Sequence, residues 1–259
     1  MGWLHEGHRA LMRRARADNA TVVVSNFVNP RQFNVATDYS RYPRNEARDL
    51  AMCETEGVDL VFAPGVEEIY PPGFSTTVSV GSVAQPLEGA ARPGHFDGVA
   101  TVVAILFDLV GAERAYFGQK DAQQVMVIRQ MARDLAIGTA VVACPTVREP
   151  DGLALSSRNV HLSAVERAAA PVLRRALVAA REAWRAGERS ADALRARMHD
   201  ELASESLAEV EYVSVADGIT LAELSTIDGP ALASLAVRFG STRLIDNEVL
   251  DPTAGTSAD

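Results

Sequence analysis

The feature that most restricts the fold is an alternation of short β-rich runs with helix-period segments over the first 147 residues. TVVVSNFV (21–28) is a nearly continuous β-rich run that ends at Asn29 and Pro30. A strand buried on both faces reads this way, ending in a loop at its C-terminal edge. NEARDLAMCETEG (45–57) has helical spacing with Gly57 as a stop. VDLVFAP (58–64), ERAYFG (113–118) and TAVVACPTV (139–147) predict further strands. GVATVVAILFDLVG (98–111) is also apolar, but its length predicts a buried helix, and DAQQVMVIRQMARDL (121–135) predicts an amphipathic one. Strand and helix in alternation imply an α/β fold with a parallel sheet covered by helices.

The pattern changes after Arg158. Residues 163–203 predict two alanine- and arginine-rich helices broken near Gly187, and EVEYVSVAD (209–217), ALASLAVRFG (231–240) and TRLIDNEVL (242–250) predict strands. The expected organisation is a first domain over 1–147, a small α+β domain over 148–250, and a disordered tail over 251–259.

Composition excludes several classes. A chain of 259 residues with 47% hydrophobic content builds a real core and is not disordered. Its net charge of −9 argues against holding a nucleic acid by bulk electrostatics, whereas a small anion needs only a local cationic pocket. The two cysteines, Cys53 and Cys144, are too few and too far apart for a disulfide framework or a metal knuckle, and read as buried reduced thiols. No apolar run reaches the ~18 residues of a spanning helix, and the polar, basic start has no signal-peptide pattern. A cytoplasmic protein without membrane partners is expected.

Five clusters carry chemistry. His5-Glu-Gly-His8 stands at the predicted start of a helix continuing RALMRRAR. A helix N-terminus attracts phosphate, and residues three apart project from neighbouring points of its first turn. Solvent-exposed histidines on a frayed terminus would read the same way, and the metalloprotease spacing H-E-x-x-H is absent. FGQKD (117–121) follows a strand and opens a helix, so that Lys120 can reach a phosphate and Asp121 can cap the helix or bind a metal-bridged nucleotide; an ordinary strand–helix turn explains it equally. Ser156, Ser157 and Arg158 pack phosphate donors into a loop, or else form a polar turn with a helix cap. Gln32, at the mouth of the first strand, offers a neutral amide suited to a hydroxy acid; one of Gln123 and Gln124 can do the same. Arg92 and His95 lie in a glycine-rich loop that reads either as a flap or as plain surface. The phosphate-friendly groups fall at the C-terminal ends of several strands, the ligand edge of an open parallel sheet.

With these residues in view, the chain resembles the pantoate–β-alanine ligases, members of the nucleotidyltransferase superfamily. The matching motifs are MGWLHEGH, SNFVNPRQF, DYSRYPR, DLVFAP, EIYPPG, RPGHFDGVATVV, YFGQKDAQQ, TVREPDGLALSSRN and TRLIDN, in family order over residues 1 to 250. H-x-G-H and the serine–serine–arginine element are shared across the superfamily, while the FVNPxQF, GHFxGVxTVV and FGxKDxQQ patterns are far more specific. The resemblance implies a Rossmann-like sheet of the HxGH type followed by a small C-terminal lid. It implies ATP-dependent condensation of pantoate with β-alanine through a pantoyl adenylate, with Mg²⁺ accompanying ATP, in a cytoplasmic homodimer.

It also implies roles by position. His5 and His8 would contact ATP phosphates, with His8 at the position of the proton donor, and Lys120 would neutralise phosphate charge. Ser156, Ser157 and Arg158 would hold the β and γ phosphates. Met1, Gly2, Gly118, Gln119, Asp121, Val147 and Leu155 would line the nucleotide pocket. Gln32 and Gln124 would grip pantoate, with Gln32 also near β-alanine. The pattern departs from the family at Ile105, where lysine is typical, at Asp108, where asparagine is typical, and at Asn26, expected to weaken the strand core. The family carries a strand ahead of the Met-Gly pair, so the sheet is expected to lack its first strand. These departures raise the alternative of an inactive or truncated nucleotide-binding paralogue; a different adenylate-forming nucleotidyltransferase is the rival enzyme reading.

Overall fold

The structure is a computed structural model that describes residues 2–34, 39–40 and 42–251. The chain divides into two compact units, Met1–Val147 and Arg148–Asp259. The predicted tail beyond residue 251 lies outside the described residues.

The first unit opens with helix α1 (Glu6–Asp18), strand β1 (Val23–Ser25), a 3-10 turn at Pro30–Gln32, helix α2 (Glu46–Thr55) and strand β2 (Leu60–Phe62). Short helices α3 (Val66–Ile69) and α4 (Glu88–Ala91) lead to the long helix α5 (His95–Val110). Strand β3 (Arg114–Gly118), a 3-10 turn at Gln119–Asp121, helix α6 (Ala122–Asp134) and strand β4 (Ala140–Cys144) complete it. The strands form two parallel pairs, β1 with β2 and β3 with β4, in register Val23↔Leu60 and Arg114↔Ala140. Among the described residues no strand is hydrogen-bonded between the pairs.

Local chemistry explains the boundaries. The Asn45 side chain accepts the Arg48 N–H to start α2, and Gly57, at φ +69°, follows its end. Helix α5 stops at Gly111, whose left-handed backbone lets its N–H reach the Phe107 carbonyl. The strands are shorter than their apolar runs. Ladder pairing of β2 ends at Phe62, two residues before Pro64, which has no N–H to donate. Asn26 therefore stands just beyond β1, half-buried, with its N–H on the Phe62 carbonyl at 2.8 Å. It does not interrupt the strand core as expected from the sequence.

Two apolar clusters organise this unit. Leu4, Met12, Val24 and Cys53 pack α1 and the segment before it onto α2 and β1. Helix α5 packs on α6, with Val99, Val103, Phe107, Val125, Ile128 and Met131 all buried. Fully burying side chains of this size contributes roughly 1.5–3 kcal/mol each.

In the second unit the segment predicted as two helices is three: α7 (Ala164–Ala169), α8 (Val172–Arg185) and α9 (Ala191–Ala203). Pro171, without an N–H, separates the first two, and Ser163 with Glu166 forms a capping box at the start of α7. Strands β5 (Glu209–Asp217), β6 (Ala231–Phe239) and β7 (Thr242–Leu250) make one antiparallel sheet with β6 central. Helices α8 and α9 pack on each other, α8 against β6 and β7, and α9 against β5. Leu173, Leu177, Leu194, Met198, Leu235 and Phe239 fill the space between.

Gly98 sets the closest approach in the first unit. A Cβ there would lie 2.2 Å from the Arg31 carbonyl oxygen and 2.8 Å from the Gln32 nitrogen, so the 3-10 turn at Pro30–Gln32 is seated directly on the first turn of α5. We expect Gly98→Ala to cost roughly 1–3 kcal/mol of stability by overpacking, read as a lowered denaturation midpoint; an unchanged midpoint would show that the turn moves freely.

Candidate active site

The site begins with how the chain enters α1. Asp49 of α2 is buried, and its carboxylate accepts two consecutive backbone N–H groups, Trp3 at Oδ2 and Leu4 at Oδ1, each at 2.8 Å. Arg48 lies 3.5 Å from that carboxylate and over the Trp3 ring, 4.7 Å from its centroid. Trp3 has φ +53°, a left-handed conformation that costs about 1–2 kcal/mol in an L-residue. Hydrogen bonds to a charged acceptor contribute about 1.5–3 kcal/mol each and offset that strain. With Leu4 fully buried beside them, the next residue is fixed in place as the N-cap of α1.

That N-cap is His5, and it caps with its ring. His5 Nδ1 accepts the Gly7 N–H at 3.2 Å, and His8 Nδ1 accepts the His5 N–H at 3.2 Å. A backbone N–H only donates, so both Nδ1 atoms are acceptors and each neutral ring carries its proton on Nε2. The ring centroids are 4.0 Å apart. Burial lowers the His8 pKa to about 3, helped by the neighbouring His5. His5 is lowered too, by burial and then by the charge of Lys120. At neutral pH the pair therefore presents two uncharged Nε2–H donors at a helix N-terminus, and neither has a partner among the described residues.

Lys120 and Asp121 stand in the turn that joins β3 to α6. The ammonium lies 3.4 Å from the Asp121 carboxylate, and the charges of both residues bear on His5 and His8. Asp121 occupies the N-cap position of α6 without making a side-chain cap bond, so the capping role expected of it is not the one it plays. Lys120 is the only lysine in the chain; every other cation among the 25 lysines and arginines is an arginine. That count was a signal in the sequence that motif reading passed over. A compact ammonium stands here where the chain otherwise uses planar guanidinium.

Gln32 sits at the end of the 3-10 turn after β1. Its Oε1 accepts the Asn29 Nδ2 at 3.3 Å, and Asn29, itself buried, also donates to the Gly98 carbonyl and accepts the Tyr70 hydroxyl. The Gln32 amide nitrogen has no partner among the described residues. Gln123 and Gln124 differ in burial. Gln123 is buried and commits its amide to the backbone of Val83, Pro86 and Glu88, while Gln124 is half-buried and makes no such bond among the described residues. Arg92 and His95 are not a loose flap: both bond to the Gln32 carbonyl. Asp121 also bears electrostatically on His95, so the Gln32 region and the histidine pair lie within electrostatic reach of the same carboxylate.

Gly2 is buried, packed so that a Cβ would lie 2.8 Å from Val28. Gly118 ends β3, Gln119 opens the turn after it, and Val147 ends the first unit. Met1 lies outside the described residues. Ile105 is half-buried on α5 and Asp108 is exposed.

Within the second unit, Leu155, Ser156 and Ser157 are half-buried and Arg158 is exposed. Ser156 caps a 3-10 turn, accepting the Arg158 N–H at 3.2 Å. The loop in front is pinned by Arg148, which makes a two-bond pair with buried Asp246 of β7 at 2.6 and 3.0 Å, and by an isolated bridge between Arg148 and Ala154. Among the described residues no group of three or more His, Cys, Asp or Glu side chains is placed to hold a metal ion, and no helix is long and apolar enough to cross a membrane.

The family model described as pantoate-beta-alanine ligase matches residues 1–249. The pantothenate synthetase of Roseiflexus castenholzii is 61% identical over 251 residues, which span 97% of this chain and 90% of that protein. The crystal structure of pantothenate synthetase from Thermus thermophilus superposes with a TM-score of 0.93 at 52% identity, covering 96% of this chain and 90% of that one. The pantoate-beta-alanine ligase from Francisella tularensis, solved in complex with beta-gamma ATP and beta-alanine, matches with a TM-score of 0.76 at 34% identity, covering 96% of this chain and 87% of that one.

The depressed imidazole pKa values set a pH dependence. An unfolded histidine takes its proton near pH 6.5, whereas folded His8 takes it only near 3 and His95 near 4. The unfolded state then binds more protons, and stability falls as pH drops from 6.5 toward 3. We expect His8→Gln to flatten that fall in denaturation curves recorded between pH 7 and 4; an unaltered slope would mean that His8 titrates normally.

Proposed function

Because the chain belongs to the pantoate–β-alanine ligase family, we propose that it joins pantoate to β-alanine at the expense of ATP, with the residues gathered around His5, His8 and Lys120 acting on the phosphates. In the first half-reaction a pantoate carboxylate oxygen attacks the α-phosphorus of ATP and pyrophosphate leaves. In the second, the amine of β-alanine attacks the acyl carbon of pantoyl adenylate and AMP leaves, giving pantothenate. The homologue bound to beta-gamma ATP and beta-alanine supports the choice of substrates. Neither alternative, the paralogue or the other adenylate-forming nucleotidyltransferase, is favoured.

The observation that carries the reading is the tautomer of the histidine pair. Near pH 7 a carboxylate is already ionised, so adenylation needs no strong base. It needs stabilisation of negative charge growing on the phosphoryl oxygens and alignment of the reactants. Two neutral Nε2–H groups at the positive end of α1 supply fixed donors, and Lys120 supplies full charge beside them. His8 donates its Nε2–H to the developing charge without having to lose or gain a proton beforehand. Gln32 and Gln124 are assigned to pantoate. The outward amide nitrogen of Gln32 donates to its carboxylate or hydroxyl, and Gln32 is also assigned to β-alanine.

Ser156, Ser157 and Arg158 are assigned to the β and γ phosphates, where hydroxyl and guanidinium donors suit oxygen acceptors. Gly2, Gly118, Gln119, Asp121, Val147 and Leu155 are assigned to the nucleotide pocket. Mg²⁺ fits this donor set as an ion carried by the triphosphate and water, with Asp121 the carboxylate at hand, since magnesium is commonly bound through few carboxylates plus substrate phosphates. When bound it neutralises phosphate charge. Two buried free thiols suit a reducing cytoplasm, and the homodimer implied by the resemblance completes the reading.

The direct test is mass spectrometry of products from ATP, Mg²⁺, pantoate and β-alanine. We expect pantothenate, AMP and pyrophosphate; well-folded protein that makes none refutes the reading. Lys120→Ala should lower turnover by about 10²–10³-fold, the usual scale for removing a group that stabilises developing charge. The sole lysine also allows a chemical check: amine acetylation at Lys120, located by peptide mass spectrometry, should be slowed by ATP. Near-native turnover in the variant, or acetylation indifferent to nucleotide, would show that the ammonium is not at the phosphates.

A further inference from the structure

The Gln32 carbonyl oxygen is held by two separate side chains. His95 Nδ1 lies 2.8 Å from it and Arg92 Nη2 lies 3.1 Å from it. A third contact ties the two donors together, Arg92 Nη1 to His95 Nε2 at 3.2 Å. A carbonyl oxygen only accepts, so His95 Nδ1 carries a proton. Guanidinium only donates, so Nε2 must be the acceptor, and the neutral Nδ1–H ring is the state that satisfies both contacts. A second proton on the ring would set Nε2–H against Arg92. Burial, with the charge of Arg92 next, lowers the His95 pKa to about 4, in agreement with that geometry.

This tautomer is the opposite of the one at His5 and His8. There Nδ1 accepts and Nε2 donates; at His95 the roles are reversed. The same side chain type is used once as a pair of outward donors and once as an internal strut.

The strut acts on one residue. The Gln32 carbonyl has two lone pairs, and two donors occupy them. Its side-chain Oε1 is turned toward Asn29, which leaves the amide nitrogen facing away from these contacts. The turn behind it cannot retreat, because Gly98 brings α5 within contact of the Arg31 carbonyl. Main chain and amide of Gln32 are thus fixed together.

We infer that Arg92 and His95 form a two-donor clamp on the Gln32 carbonyl that aims the Gln32 amide at the acid substrate, which makes His95 a positioning residue for pantoate. The inference rests on the assignment of Gln32 to pantoate made above. His95 does not touch the reacting atoms; it removes the freedom that Gln32 would otherwise lose on binding.

The test compares His95→Ala with His95→Asn. The asparagine Nδ2 reproduces the position of the imidazole Nδ1, so it restores the bond to the Gln32 carbonyl, whereas alanine cannot. We expect His95→Ala to raise KM for pantoate about 10-fold or more with KM for ATP unchanged, and His95→Asn to return it to within about 3-fold of the wild type. Equal KM values for pantoate in the two variants would overturn the clamp, as would a loss spread evenly over both substrates. Gln32→Ala is the control for the underlying assignment. If it leaves KM for pantoate unchanged, the assignment of Gln32 fails; if it raises KM while the His95 pair behaves alike, only the clamp fails. A readout independent of turnover comes from the wild-type protein by NMR. The His95 ring should show the neutral Nδ1–H tautomer at pH 6, and the Phe33 amide, next to the clamped carbonyl, should shift in His95→Ala and recover in His95→Asn. An Nε2–H or charged His95 ring would overturn the inference even if a variant failed to fold.

Discussion

A buried carboxylate gripping two successive backbone N–H groups is the contact from which the site follows. Asp49 is drawn from α2, far along the chain from the residues it holds, and it fixes Trp3 and Leu4 in a conformation that Trp3 would not adopt unaided. Once Leu4 is buried and its N–H satisfied, His5 has one place to go, the N-cap of α1. A serine or aspartate would be the ordinary choice there. The use of imidazole has a consequence that those residues do not offer. Capping consumes the acceptor nitrogen of each ring and leaves the donor nitrogen over, so the structural bond and the role proposed for the pair are two ends of one side chain.

The same device recurs with the opposite polarity at His95. A ring that takes a proton near pH 6.5 in water is held neutral in both places, because it is surrounded by apolar bulk and by cations. Lys120 contributes to the depression at His5 and His8, and Arg92 at His95. Positive charge therefore has two effects in this unit. In the proposed function it serves an anionic substrate, and it helps keep the neighbouring imidazoles uncharged, so that they are directional donors instead of further point charges. The family to which the chain belongs transfers an adenylyl group, and that chemistry gains from donors set before charge develops.

Much of the fold was legible in the residues. The helix at 98–111 was set apart from the strands by its length, and Gly111 ends it in the left-handed backbone that glycine permits. The three C-terminal strands stand within a residue of where their runs lie, because antiparallel strands of nine residues carry their own turn signals, as at Gly240. The short parallel strands were over-read. TVVVSNFV is β-rich over eight residues, but the ladder lasts only as long as the partner strand has N–H groups to share, and β2 runs into proline. Pro171 likewise divides a helical run that composition alone joins.

In the site, residue types and their order along the chain were enough to nominate His5, His8, Gln32 and Lys120, since a paired histidine at a helix start and a lysine after a strand are local patterns. Local patterns say nothing of which nitrogen is occupied. The sequence by itself determined which groups are present, which elements carry them, and the family to which the motifs belong. Only the tertiary structure decided that Gln123 is committed to backbone while Gln124 is not, that Arg92 and His95 brace Gln32 instead of covering it, and that Asp49 anchors the start of α1. The physical reason is that a hydrogen bond is a property of two partners, and these partners are brought within 3.1 Å by packing between elements tens of residues apart.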